Sequence, residues 1–128
     1  MLNCFFNLQK VFGVALGDTV IREERKSGVP LIIEKLGSFI QANCITQPGI
    51  FRVAGSSGEI QALKEVFDTG GPGVDQVNLH DISAYSVCDC LKLYFRSLPE
   101  PMFGYDLYRP IVELMSPYFL LSPLPFFF

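Results

Sequence analysis

The sequence has little of the chemistry that metal sites and acid–base catalysis use. Its 128 residues contain a single histidine, His80, and no cysteine stands at ligand spacing from it. The four cysteines are Cys4, Cys44, Cys88 and Cys90. They lack the paired spacing of zinc modules, and a Cys-x-Cys pair on a helix would diverge. We therefore expect no metal site, and a structural or solvent-facing histidine is favoured over a catalytic base.

Signals of nucleotide and nucleic-acid binding are also absent from the sequence. Residues 68–73 are glycine-rich, but no Gly-Lys-Ser or Gly-Lys-Thr follows them. They are therefore not expected to cradle a phosphate, and the chain should have no cofactor of its own. There is no basic tail, low-complexity run or internal repeat. The net charge is −3, which argues against a nucleic acid as the main partner.

The sequence also shows no targeting or membrane-spanning signal. The first ten residues lack the charged start, long apolar run and cleavage site of a signal peptide. The apolar stretches near the two ends are too short, or too broken by proline, to cross a bilayer. We expect no transmembrane segment, free thiols in a reducing compartment, and so a cytoplasmic location.

Helical periodicity is what the sequence does contain. The chain is long enough for one domain with a single core, and 49% of it is hydrophobic. Apolar residues recur at helical spacing in three stretches, which predict three core helices. These positions are Ile32, Leu36, Phe39 and Ile40; Ile60, Leu63, Val66 and Phe67; and Val87, Leu91, Tyr94, Phe95 and Leu98.

Capping residues and prolines predict where the three long helices begin and end. Pro30 should open the first, which ends near Asn43. Ser56 and Glu59 form a capping-box pattern at the start of the second. Asp81 or Ser83 should cap the third, and the Leu-Pro-Glu-Pro run at 98–101 should stop it sharply.

The remaining segments are predicted as a short helix and loops. Residues 11–16 should pack as an extended entry segment, and Asp18 or Thr19 should cap a short helix. The charge run at 22–26 is read as a solvated face of that helix. Lys64 and Glu65 are also expected to be solvated, and residues 68–73 should form a loop.

Residues 49–56 (GIFRVAGS) hold an arginine between two glycines. Ile50 and Phe51 can anchor the segment in a core, and the glycines allow backbone conformations that other residues adopt only at a cost. Arg52 would then be held out from a buried base, with a planar, always-charged guanidinium suited to phosphate oxygens. This is how an arginine finger is built, although the triplet by itself more simply fits a surface arginine in a loop between helices.

A basic pair lies further along the chain. Lys92 and Arg96 are four residues apart, so they share one exposed helix face. Taken alone, the simpler interpretation is that Lys92 pairs with Asp89 one turn back and Arg96 is solvated.

Two stretches together resemble the signatures of Rho GTPase-activating (RhoGAP) domains. Residues 49–56 are similar to the finger loop of that family, and residues 91–101 (LKLYFRSLPEP) to its second signature, in the same order and separation. Residues 11–14 (VFGV) resemble the usual domain opening, and Val29-Pro30 resembles the start of its early helix. The similarity runs from about Val11 to about Met115.

The resemblance implies an all-helical domain that docks on a Rho-family small GTPase and stimulates GTP hydrolysis in trans. By this match, Arg52 is the catalytic finger. Lys92 and Arg96 are the basic pair that supports the finger loop and contacts the GTPase. The chain would be an activator and not an enzyme with its own substrate, and GTP and Mg²⁺ would belong to the partner.

The chain departs from the family pattern at Pro48 and near its C-terminal end. The family usually has an acidic residue where Pro48 stands, and this change would alter the approach of the loop. The family also continues with further helices, one of which carries a GTPase-binding asparagine in an Asn-Leu-Ala-like motif, and nothing here matches it. We expect a leader at 1–10, a partial RhoGAP domain at 11–115 without its C-terminal helices, and an apolar tail rich in proline and phenylalanine at 116–128.

The tail and the missing helices lead to further expectations. The three prolines of the tail should exclude a continuous helix, and a truncated isoform is favoured over a membrane-surface or partner-binding tail. The apolar stripe of the helix that carries Lys92 and Arg96 should be partly exposed. Three hypotheses remain: an activator with Arg52 as its finger, a non-catalytic remnant that binds a GTPase or another protein, and a fragment with no stable fold.

Overall fold

The computed structural model describes residues 10–121, with side-chain environments as far as Met115, and all of its regular elements are helices. The predicted all-α fold is confirmed. Cys4, most of the predicted leader and the tail beyond residue 121 lie outside the described residues. The α-helices are α1 Leu16–Arg22, α2 Leu31–Asn43, α3 Ser57–Thr69, α4 Pro72–Gln76, α5 Ala84–Ser97 and α6 Gly104–Leu121, with one 3-10 turn at Leu79–Asp81.

The core is built around α5, which packs against α2 and α3. Tyr94 of α5 is fully buried, and the ring of Phe12 meets its ring edge-on, with 5.6 Å between the centroids. Burial of each large apolar side chain contributes about 1.5–3 kcal/mol, and the three predicted stripes supply half of the buried apolar residues. The buried predicted positions are Ile32, Leu36, Ile40, Leu63, Phe67, Val87 and Tyr94, and the other predicted positions pack against them half-buried.

The entry segment is tied to the end of α3 through Asp68. The N–H groups of Val11 and Phe12, both buried, donate to Asp68 Oδ1 at 2.8 and 3.0 Å. Lys64 pairs with Asp68 Oδ2 at 3.1 Å and lies 5.5 Å from the centroid of the Phe12 ring. The prediction that Lys64 is solvated is therefore wrong, because the entry segment covers that side of α3.

The glycine-rich loop predicted at 68–73 is shorter than expected. Asp68 and Thr69 complete the last turn of α3, and the contacts of Asp68 favour that extra turn. Gly70 and Gly71 both have a φ of +67°, a conformation that glycine adopts without strain. Pro72 then occupies the first position of α4, where its missing N–H has no helical partner to lose.

Helix α1 begins earlier than predicted. Ala15 precedes its first residue, Asp18 lies in the first turn, and the buried Thr19 hydroxyl donates to the Ala15 carbonyl inside the helix. The helix ends at Arg22, so most of the charge run follows it. That run is also not simply solvated, because Glu23 Oε2 accepts the N–H of Leu31 at 2.8 Å at the start of α2.

The termini of α2 and α5 agree with the predictions. Pro30 precedes the first residue of α2, which ends at Asn43, and α5 stops before Leu98. Ser83 stands at the N-cap of α5, although its side chain makes no capping hydrogen bond. His80 lies exposed in the 3-10 turn, where its ring meets the Phe39 ring edge-on at 5.0 Å between centroids.

Helix α6 contradicts the expectation for the first part of the tail. It continues through Pro110 and Pro117 to Leu121, so the prolines do not exclude a helix over 116–121. The two prolines are about two turns apart, and each removes one donor from the hydrogen-bond ladder without ending the helix.

No helix within residues 10–121 is both long and apolar enough to cross a bilayer.

A run of exposed apolar side chains lies on α6 and on the two residues that precede its first turn. The α5 stripe is partly exposed, as expected. Val87 and Tyr94 are buried, whereas Leu91, Phe95 and Leu98 are only partly covered by the neighbouring elements. Residues 102–115 instead carry many apolar side chains that face solvent. These are Met102, Phe103, Tyr105, Leu107, Tyr108, Ile111, Val112, Leu114 and Met115.

Candidate functional site

Arg52 lies at the exposed tip of the loop that joins α2 to α3, residues 44–56, which we call the Arg52 loop. The N–H groups of Arg52 and Val53 both donate to the Gly49 carbonyl, at 2.9 and 2.8 Å. This tight turn requires Gly49 for two reasons. Its φ of +71° is unfavourable for other residues, and an added Cβ would lie 2.8 Å from Cγ2 of Val53. The turn projects Arg52 away from the core.

Of the two apolar residues before Arg52, only one has the predicted role. Ile50 is half-buried and packs against the core, as expected. Phe51 is 48% exposed and has a φ of +69°. This left-handed conformation costs a non-glycine residue about 1–2 kcal/mol, so other contacts must hold it. Phe51 therefore anchors the loop through its backbone and not through its ring.

One face of α5 supplies these contacts. Ser86, Asp89, Lys92 and Arg96 are spaced three, three and four residues apart, so they form one stripe along the helix. We call these four residues the polar stripe of α5. Three of them bind main-chain groups at the end of the Arg52 loop. The Ser56 N–H donates to Ser86 Oγ at 2.9 Å, the Gly55 N–H donates to Asp89 Oδ2 at 2.7 Å, and Lys92 Nζ donates to the Phe51 carbonyl at 2.8 Å.

Gly55 allows the loop to approach α5 this closely. A Cβ built on Gly55 would lie 2.4 Å from Cα and 2.5 Å from the backbone nitrogen of Ser86. Real Cβ atoms do not approach a backbone so closely, so the need for glycine here is steric and not a matter of φ. Tyr85 adds a contact at the other end of the loop, where its hydroxyl donates to the Pro48 carbonyl at 3.0 Å.

The predicted capping box at the start of α3 is wrong. Ser56 stands at the N-cap, but its hydroxyl caps no N–H group of the helix. Glu59 instead accepts a hydrogen bond from the Ser86 hydroxyl at 2.5 Å, and that hydroxyl accepts the Ser56 N–H. The serine of α5 replaces the local cap because Gly55 brings the two helices close together.

Asp89 is the acidic centre of the polar stripe. Its Oδ1 lies 2.5 Å from Lys92 Nζ, so the predicted pairing of these two residues is present alongside the contact of Lys92 with the loop. Burial alone would raise the pKa of Asp89. The hydrogen bond from Gly55 and the charges of Lys92 and Arg96 outweigh it and hold that pKa below its ordinary value. Asp89 therefore remains a carboxylate at neutral pH.

The three site residues named from the sequence lie around one depression. Arg52, Lys92 and Arg96 line a shallow pocket of about 390 Å³, with Ile60 and Leu93 supplying apolar lining. Arg96 is exposed, as the sequence indicated. The arrangement presents three positive charges above a partly apolar surface, which suits an acidic or phosphate-bearing group on another molecule.

Other chemistry-bearing groups do not converge into a site. Cys44, Cys88 and Cys90 are free and buried, and burial raises the pKa of Cys90 to about 12. In the described part of the chain, no three histidine, cysteine or acidic side chains come together as a metal site would require.

Sequence reasoning missed Ser86 and Tyr85 as loop supports. The only available signal was the position of Ser86 two turns before Lys92 on one helix face.

The comparisons with known proteins agree with this fold. The RhoGAP domain family matches residues 30–117. The Rho GTPase-activating protein gacY of Dictyostelium discoideum is 33% identical over 107 residues, which are 83% of this chain and 14% of that protein. The breakpoint cluster region protein of Homo sapiens is 36% identical over 103 residues, which are 80% of this chain and 8% of that protein. The crystal structure of human Rho GTPase activating protein 15 is similar with a TM-score of 0.68 and 28% identity, covering 86% of this chain and 51% of that one.

The helices and the loop-to-helix contacts define an all-helical domain with an exposed arginine on a loop that is held by a neighbouring helix. The chain belongs to the RhoGAP domain family. It spans a small part of the curated relatives and about half of the solved chain.

Proposed function

We propose that this chain accelerates GTP hydrolysis by a Rho-family small GTPase, with Arg52 entering the partner's nucleotide site as an arginine finger. The observation that carries the proposal is the position of Arg52. It stands exposed on a tight turn whose backbone is held by the helix that carries Lys92 and Arg96. Family membership and the names of the relatives support the same activity.

The chemistry of GTP hydrolysis explains why such an arginine is useful. Negative charge develops on the β–γ bridge and γ-phosphate oxygens in the transition state. A guanidinium supplied in trans stabilises that charge and contributes about 10³–10⁵ in rate. The gain is largest when the donor is already in place and needs no reorganisation at the moment of reaction. A finger on a fixed loop meets that condition.

Lys92 and Arg96 have supporting roles in this proposal. Lys92 holds the loop through the Phe51 carbonyl, and with Arg96 it offers positive charge to the GTPase. The apolar lining of the pocket at Ile60 and Leu93 accommodates a side chain of the partner. In this scheme GTP and Mg²⁺ arrive with the GTPase, so residues 10–121 need supply no nucleotide, metal or substrate site. The partner is a protein and not a nucleic acid.

A single-turnover assay tests the activity. GTP hydrolysis by a panel of purified Rho-family GTPases would be followed with and without the chain. We expect acceleration by the unaltered chain and a loss of about 10³-fold or more in the accelerated rate for Arg52→Ala. Arg109→Ala is the matched control, since Arg109 is an exposed arginine on α6 far along the sequence from the loop. Its effect should be small.

The same assay separates activation from binding alone. Binding to the GTPase loaded with a non-hydrolysable GTP analogue would be measured in parallel. Binding without acceleration, and without dependence on Arg52, would contradict the proposal and identify a non-catalytic interaction module. An equal loss of acceleration in Arg52→Ala and Arg109→Ala would also contradict it.

A further inference from the structure

We propose that Asp89 is a positioning residue for Arg52, because it fixes both the end of the Arg52 loop and the orientation of Lys92. This inference rests on the proposed function, since it concerns the same finger. Asp89 touches neither nucleotide nor partner in this scheme. It acts through the two groups that its carboxylate binds.

The geometry places Asp89 at a junction. One carboxylate oxygen accepts the Gly55 N–H at 2.7 Å, three residues after Arg52, and the other lies 2.5 Å from Lys92 Nζ. The Lys92 ammonium in turn donates to the carbonyl of Phe51, the residue before Arg52. A single carboxylate therefore connects backbone groups on both sides of Arg52 to one turn of α5.

Lys92 alone would not hold the loop in this way. Its side chain is flexible, with 39% of its surface exposed, whereas only 16% of the Asp89 side chain is exposed. The carboxylate restricts the ammonium to a position from which it reaches the Phe51 carbonyl. Without Asp89, the Gly55 N–H would lose its partner and Lys92 would gain many rotamers. The left-handed backbone of Phe51 would then have lost its support.

Asp89 also compensates the charge of the site. Arg52, Lys92 and Arg96 surround the same depression, and like charges at short range repel one another. The largely buried carboxylate lies next to Lys92 and near Arg96. It therefore lowers the repulsion that would otherwise push the three cations apart, while leaving the exposed guanidinium of Arg52 available.

The test compares Asp89→Ala and Asp89→Asn with the unaltered chain in the single-turnover assay. We expect Asp89→Ala to reduce the maximal accelerated rate on the order of 10- to 100-fold, as displacement of a reacting group does. The chain concentration for half-maximal rate should stay nearly unchanged. Asp89→Asn should recover part of the rate, since its amide oxygen still accepts the Gly55 N–H. Asp75→Ala, at an exposed site on α4, is the control.

A second arm distinguishes positioning from general damage to the fold. In the Arg52→Ala background, Asp89→Ala should cause no further loss of rate, because its effect passes through Arg52. An equal loss in both backgrounds would overturn the inference, as would an unchanged rate in Asp89→Ala. A large rise in the half-maximal concentration with an unchanged maximal rate would also overturn it and assign Asp89 to partner binding.

If the unaltered chain does not accelerate hydrolysis, that result refutes the proposed function alone. Amide hydrogen exchange then still tests the positioning role of Asp89. Asp89→Ala should speed exchange at the 51–56 amides and leave α2 and the buried turns of α3 as protected as before. Unchanged exchange at 51–56, or faster exchange throughout the chain, would overturn the positioning role.

Discussion

At the scale of single residues, the conformation of the Arg52 loop depends on two positions. One carries backbone strain, and the other avoids a steric clash. Phe51 carries backbone strain with its φ of +69°, and Gly55 avoids a collision by having no side chain. The strained residue is tolerated because its carbonyl is held by Lys92. Arg52 itself needs few contacts, since the residues around it determine where it points.

Gly55→Ala is expected to damage the site through sterics. The new Cβ would lie 2.4 Å from Cα of Ser86, and a helix backbone does not yield cheaply. We expect a loss of about 1–3 kcal/mol in the free energy of unfolding, as for other overpacked positions, together with reduced GTPase activation. Urea denaturation and the single-turnover assay measure the two effects.

Gly37→Ala is the matched control for that prediction. Gly37 lies inside α2, and a Cβ there would meet nothing within 4 Å. Replacing a helix-interior glycine by alanine should increase stability by about 0.5–1 kcal/mol. Equal effects of the two substitutions would contradict the steric explanation for Gly55.

The residues of the site differ in how far the sequence reveals them. Arg52, Lys92 and Arg96 could be named because they fall within recognisable motifs, and the structure brings them around one depression. The loop contacts of Ser86 and Tyr85 could not be named. They depend on which backbone atoms of a distant loop face α5, and no periodicity encodes that register. For the same reason, the sequence predicts a cap formed by Ser56 and Glu59 within α3, whereas in the structure both residues bind the Ser86 hydroxyl of α5.

At the scale of elements, Asp68 joins the entry segment to α3. Burial alone would raise the pKa of this carboxyl. The hydrogen bonds from the Phe12 and Val11 N–H groups and the interaction with Lys64 outweigh it and lower that pKa. Because the folded-state pKa is lowered, the stabilisation is fully present above the unfolded value of about 3.9. It is lost as the pH falls through the folded-state pKa.

Asp68→Ala tests this junction. At pH 7 we expect a loss of about 1–3 kcal/mol in the free energy of unfolding, because two backbone donors lose their acceptor. The difference from the unaltered chain should shrink as the pH falls below about 3.9. Urea denaturation at a series of pH values measures it, with Asp75→Ala as the control. A difference that does not change with pH would argue against the charged form of Asp68 as the stabilising group.

The helices themselves are predictable where an apolar stripe is followed by residues that end a helix. Residues of α2, α3 and α5 show both, so their apolar faces and most of their ends agree with expectation. The errors fall where tertiary contacts override local signals. Asp68 extends α3 because the entry segment binds it, and α6 continues through Pro117, one of the three tail prolines that are expected to exclude a continuous helix.

At the scale of the whole molecule, the chain divides into a packed body and an exposed helix. The closest helix packing joins α2, α3, α4 and α5, and α6 takes no part in it. Asp106, Arg109 and Glu113 lie on one side of α6, and most of the remaining positions from 105 to 115 are exposed and apolar. Stability and solubility should therefore depend on different parts of the chain.

Substitutions on α6 and in the core should separate these two properties. Leu107→Ser and Leu114→Ser, at residues 52% and 73% exposed, should reduce light scattering and leave the unfolding midpoint nearly unchanged. Leu36→Ala, at a fully buried position, should cost about 2–5 kcal/mol in the free energy of unfolding. Thermal and urea unfolding with static light scattering measure both. A non-cooperative melt of the unaltered chain would instead support a fragment without a stable fold.

The contacts between α5 and the Arg52 loop have a consequence for how the loop sequence can vary. Ser86, Asp89 and Lys92 all bind main-chain atoms of the loop and none of its side chains. Apart from Gly49, Gly55 and the core-packed Cys44 and Ile50, the loop residues are therefore under little chemical constraint from these contacts. Val53 and Ala54, both exposed, can be exchanged while the arginine stays in place. Because α5 holds only the main chain here, a change of an exposed side chain in the loop leaves the backbone that carries Arg52 in place.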